Sequence, residues 1–69
     1  MNARIYELAE QAAEFTDANE FAAIERRIWD SIFREKFAEL IIAECAGFLR
    51  DTLDDHFAAE QLEQHFGVE

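Results

Sequence analysis

The groups in this chain that can donate, attack or coordinate are one thiol, two imidazoles and many carboxylates. Cys45 lies between Glu44 and Ala46. A nucleophilic thiol needs a base and an electropositive setting to hold its thiolate. The neighbours Glu44 and Ala46 do not lower a thiol pKa, so Cys45 is predicted to be a packed, chemically idle side chain. His56 and His65 are nine residues apart and cannot share a helical face as an H-x-x-x-H pair does. Gln61 does share a face with His65, but an amide is a poor zinc ligand. Only two subunits of an oligomer could bring these histidines together. Otherwise they belong at solvated helix ends, where a protonated His65 suits the helix dipole. Carboxylates pair repeatedly, at Glu10/Glu14, Glu35/Glu39, Asp54/Asp55 and Glu60/Glu63. A general acid–base pair needs one member in an environment that shifts its pKa, and nothing in the sequence selects one. There is no glycine-rich phosphate loop, no Ser–His–Asp order and no E-x-x-H box. The expectation is a protein that is not an enzyme and that uses no metal and no cofactor.

The cations are distributed more tellingly. The 69 residues carry 16 acidic and 6 basic groups, a formal charge of −10. Residues 1–25 hold Arg4 against six carboxylates, and residues 51–69 hold six carboxylates and no cation. Arg26, Arg27, Arg34, Lys36 and Arg50 all fall in the middle. The summed field repels phosphate, which argues against direct binding to duplex nucleic acid. Two readings of the middle arginines stand side by side. They pair with acidic neighbours such as Glu20, Glu25 and Asp30, or they converge on an anion. Arg26, Arg27, Trp29, Phe33 and Arg34 are the candidate partner- or ligand-binding residues, since guanidinium forks and aromatic faces commonly anchor binding surfaces.

The elements that must position these groups are helical. Proline is absent and only Gly47 and Gly67 interrupt a chain rich in Ala, Glu, Gln, Leu and Arg. Ile5, Leu8, Ala9, Ala12 and Phe15 recur at helical spacing, with Glu7, Glu10 and Glu14 opposite. Asp17 with Glu20, or Asn19 alone, offers a cap for a second helix. Beyond it Phe21, Ile24, Ile28 and Ile32 line one side, whereas Phe33, Phe37, Leu40, Ile41 and Phe48 line the other. A change of side predicts a break or kink near Asp30-Ser31, whose side chains can cap a new helix. Thr52 and Asp55 offer another capping box, and Gly67 sits where a left-handed C-cap belongs. The predicted fold is therefore all-α, a single domain over 1–69 with three to four helices at about 3–15, 19–30, 33–50 and 53–65.

Such a short chain buries little surface, and one cysteine cannot staple it. Ile42, Ala46, Leu49, Leu53 and Phe57 form a stripe roughly opposite Phe37 and leave the third helix apolar on two sides. That stripe is the expected interface of a homo-oligomer, most simply a dimer, and Gly47 is expected to admit a close backbone. No apolar h-region follows the start. The longest apolar run, Leu40-Ile41-Ile42-Ala43, is far short of the ~20 residues a membrane span needs. A soluble, intracellular protein is expected.

Three ordered blocks resemble a group of small tailed-bacteriophage proteins of no assigned activity. They are Asn2-Ala3-Arg4-Ile5 through Leu8-Ala9-Glu10-Gln11-Ala12, Glu35-Lys36-Phe37-Ala38-Glu39-Leu40-Ile41 with Glu44-Cys45-Ala46, and His65-Phe66-Gly67-Val68-Glu69. The blocks cover about half the chain, and residues 16–34 correspond to the stretch that varies among such proteins. The resemblance implies an accessory protein of the infected bacterial cytoplasm. With no catalytic constellation, the expected role is to bind and disable or redirect a host bacterial protein, in host takeover or anti-defence. The alternatives are an oligomeric sponge for a nucleotide immune signal, built on the arginines and aromatics, and an acidic mimic of DNA.

Overall fold

The computed structural model describes residues 3–68. Three helices form, α1 (Ala3–Asp17), α2 (Arg26–Asp51) and α3 (His56–Phe66), and there is no strand among the described residues. The all-α expectation holds. In α1, Leu8, Ala12 and Thr16 recur four residues apart and are buried, while Glu7, Glu10 and Glu14 face out. The buried Thr16 hydroxyl is satisfied by donating to the Ala12 carbonyl at 2.7 Å. Phe15, expected in the core, is instead half exposed, with the Lys36 ammonium 4.5 Å from its ring centroid. The stripe is thus turned by one position from the one expected.

The helix expected over 19–30 does not form as such. From Ala18 to Glu25 the chain runs through successive turns, with Asn19 N–H donating to Thr16, Ala22 to Asn19 and Ile24 to Phe21. Asn19 does act locally, but its side-chain oxygen accepts from Phe21 N–H, two residues on, and closes a turn. This short-range bond competes with helix nucleation. Ala22 is tucked into the core, whereas Phe21 and Ile24 stay exposed.

The expected break at Asp30-Ser31 is also absent, and α2 runs unbroken for 26 residues. Trp29, Phe33 and Phe37 follow at four-residue intervals across that point, Trp29 stacked on Phe33 at 5.1 Å between centroids and Phe37 tilted against Phe33 at 5.6 Å. The reason for the two-sided apolar pattern lies in position. α2 is the middle element, touching both α1 and α3, which do not touch one another among the described residues. A helix with two neighbours needs two apolar sides.

The expected restart after Thr52 is found slightly later. Asp55, not Thr52, caps α3, its carboxylate accepting from Ala58 N–H at 2.9 Å. Gly67 ends α3 in the left-handed region (φ 69°), and the N–H groups of Gly67 and Val68 return to the Gln64 and Glu63 carbonyls. The molecule measures 43 × 26 × 17 Å. Among the described residues, the fully or nearly buried apolar side chains are Leu8, Ala12, Ala22, Ala46 and Ala59. Four of these five are alanines, so the helices sit close together over a thin core.

Candidate functional site

The arginines fall into two groups. Arg4, on α1, reaches Glu44 of α2 and also Glu7 at 3.0 Å. Arg50, near the end of α2, grips Glu63 of α3 with two nitrogens. Both guanidiniums are held above their ordinary pKa, first by these hydrogen bonds, and Arg50 holds the Glu63 carboxyl below the usual glutamate range. These two arginines tie the helices together.

Arg26, Arg27 and Arg34 do not. Arg27 approaches Glu25 only at 3.9 Å and its side chain is 93 % exposed. Arg26 and Arg34 form no ion pair among the described residues. The expected pairing of the middle arginines with Glu20 and Asp30 is not made. Three uncommitted cations therefore stand at the start of α2, in a chain of charge −10.

The five candidate binding residues share one end of the helix but not one side of it. At about 100° per residue, Arg27 and Arg34 lie nearly in line, and Arg26, Trp29 and Phe33 lie a quarter-turn or more away. Arg27 and Arg34 flank an open hollow of about 530 Å³ together with Asp30, Ser31 and Glu35. Arg26 and Trp29 border a different hollow of about 430 Å³, whose other wall is the turn residues Ala22, Ala23, Ile24 and Glu25. Trp29 is half-buried; its indole N–H donates to the Asp17 carboxylate at 2.8 Å and its ring lies flat on Phe33. That bond fixes the end of α1 to the start of α2 and holds the indole edge beside Arg26. Phe33, also half-buried, serves as the floor under the indole rather than as a contact of its own.

Ile24, 74 % exposed, walls this second hollow, and Phe21, 61 % exposed, belongs to the same run of turns. Reading the chain as helix there placed both on a buried stripe. The signal that could have located them was Asn19, a residue that closes turns through its own side chain.

The stripe expected as an oligomer interface is likewise divided. Ala46 is fully buried within the chain, one helical turn before the Arg50 that bonds to α3 and therefore on the same side of α2, and cannot face a second copy. Ile42 and Leu49 are half-buried, and Leu53 and Phe57 are exposed, at 58 % and 74 %. Gly47 meets no neighbouring backbone, since a Cβ there would touch nothing within 4 Å. Cys45, expected to be packed, is exposed on the outer side of α2. His56 and His65 occupy the two ends of α3, His56 beside Asp54 at 3.1 Å and His65 edge-on to Phe66. No cluster of three metal-binding side chains exists among the described residues. No described helix is long and apolar enough to cross a membrane.

No protein-family model matches the chain, and no curated protein or solved structure matches it either.

Proposed function

We propose that this is a noncatalytic binding protein that docks a protein partner on the hollow between the 18–25 turn and the start of α2. One observation carries the reading: Ile24 stands exposed in the wall of a hollow it shares with an uncommitted Arg26 and an indole already immobilised by Asp17 and Phe33, and Phe21 is exposed on the same turn. A fixed aromatic edge, free apolar side chains and an unpaired guanidinium are the components of an interface hot spot, because little side-chain freedom is lost on docking. The fitting partner presents an apolar knob with a carboxylate at its rim. The resemblance to tailed-phage proteins directs the search to bacterial host proteins, in keeping with a role in host takeover or defence evasion.

The nucleotide-sponge reading needs guanidinium forks and a base-stacking ring in one place. Here Arg27 and Arg34 share a hollow with Asp30 and Glu35, and Trp29, beside Arg26 alone, already has its ring stacked on Phe33. The DNA-mimic reading is opposed by Arg26 and Arg34, which have no ion pair among the described residues, and by the loosely paired, exposed Arg27.

The test is affinity capture from infected bacterial cells with the tagged full chain, against Ile24→Asp and Arg26→Glu as matched controls. Both positions are exposed, so both variants should fold. A bacterial protein retained by wild type through salt washing and lost with both variants supports the reading. Retention unaffected by either substitution overturns the site. Capture of small nucleotides alone overturns the proposed class of partner.

A further inference from the structure

The outward line of α2 carries a pattern that folding within one chain leaves unused. Ser31, Arg34, Ala38, Ile41, Cys45 and Phe48 follow one another in alternating steps of three and four residues. That is the spacing which keeps one seam of a helix against a partner helix. Ile41 is half-buried, and the other five are exposed, Phe48 by 54 %. The rest of α2 between these positions is mostly half-buried, and Ala46 is sealed against α3. So the seam is the side that neither α1 nor α3 covers.

The sizes along it alternate. Ser31, Ala38 and Cys45 are small, and Arg34, Ile41 and Phe48 are large. We infer that α2 pairs along this seam with α2 of a second copy, antiparallel, about a two-fold axis passing between Ala38 and Ile41. In that arrangement Ala38 faces Ile41, Cys45 faces Arg34 and Ser31 faces Phe48. Every layer then joins one small side chain to one large one, which fills space evenly. A parallel pair would stack Phe48 on Phe48 and Arg34 on Arg34, and would leave the small layers hollow.

Charge selects the same direction. The start of α2 carries Arg26 and Arg27 without firm partners, and its end leads into Asp51, Asp54 and Asp55. Antiparallel pairing brings Arg27 beside Asp51 and Thr52 of the second copy, with its own Asp30 on the other side. Parallel pairing would set cation against cation at one end and carboxylate against carboxylate at the other. Ile42 and Leu49, half-buried at the margin of the seam, gain cover in the process. The thin, alanine-rich core of one chain explains why a second copy is needed. This seam is separate from the hollow at Ile24 and Arg26, so either proposal can fail without the other.

Light scattering and disulfide trapping on the full chain test the inference. Wild type should show twice the 8.0 kDa monomer mass at micromolar concentration. Ala38→Glu, at an exposed position, should keep its helicity yet associate roughly a hundredfold more weakly, because two charges would meet unpaired at the axis. Under mild oxidation, wild type should form no covalent dimer, since the two Cys45 residues would lie about 16 Å apart along the helices. Arg34→Cys should form one readily, by pairing with Cys45 of the second copy. Within one chain, positions 34 and 45 are too far apart along α2 to bond. A monomeric wild type, or an Ala38→Glu variant of unchanged mass, overturns the pairing. Efficient Cys45–Cys45 linkage in wild type, or failure of Arg34→Cys to link, overturns its direction and register.

Discussion

The two ends of α2 use the same residue type for opposite purposes. At the C-terminal end Arg50 is clamped to Glu63, and Glu44 receives Arg4 from α1, so charge is spent joining three helices. At the N-terminal end Arg26, Arg27 and Arg34 have almost no internal partner, and the helix is held by an indole N–H and stacked rings. A structure that can pair arginines across helices at one end, and does not at the other, keeps the second set available. The difference separates the residues that make the fold from those the fold displays.

The sharpest way to break this contrast is a single substitution at the packed end. Ala46→Asp would place an unpaired carboxylate beneath α3 and should cost about 3–5 kcal/mol, comparable with the whole stability of a small domain. Circular dichroism should show an unfolded chain at room temperature. A folded, cooperative variant would mean that the α2–α3 contact is not a closed one. On the outer side of the same end, Gly47→Ala should act in the opposite sense. An added methyl meets nothing within 4 Å, and helix propensity predicts a gain of about 1 kcal/mol, seen as a higher denaturant midpoint.

Smaller still is the acid response of the Arg50 clamp. Glu63 has its pKa lowered in the folded state, chiefly by hydrogen bonding to Arg50. Its contribution is therefore complete at neutral pH and is lost as pH falls through the ordinary glutamate range and below. Glu63→Gln should flatten that part of the acid limb in thermal melts taken across pH. An unchanged acid limb would show that the clamp is idle. The smallest effect belongs to the displayed end. Arg26→Ala should change stability by no more than about 0.5 kcal/mol, whereas Arg50→Ala should lower the melting temperature measurably. Equal effects from the two substitutions would erase the distinction.

Much of the fold was legible in the residues. The all-α class, the extent of α1 and the glycine that closes α3 follow from spacing and cap chemistry. The break expected at Asp30-Ser31 does not form, because a change of apolar side does not require a change of helix. In a middle helix it marks a change of neighbour, which no periodicity can report. The turn at 18–25 has the spacing of a helix because Phe21 and Ile24 continue an apolar rhythm, while Asn19 withdraws the backbone from it. For the site, the residue types were legible and their grouping was not. Arg26 and Arg27 are adjacent in sequence yet border different hollows, a consequence of how α1 and the turn rest against α2. The type of Cys45 predicts the interior, and it lies outside because its side of α2 is left uncovered by α1 and α3.

Trp29 is the sole tryptophan, and it is fastened to the last residue of α1. The protein thus contains its own optical gauge of one seam and is nearly blind at the other. Detachment of α1 would release the indole from Asp17 into water and shift its emission to longer wavelength. Fraying of α3, at the far end of α2, would leave that emission unmoved while helicity fell. Paired records of fluorescence and circular dichroism during denaturation can therefore time the two detachments separately, with no label added.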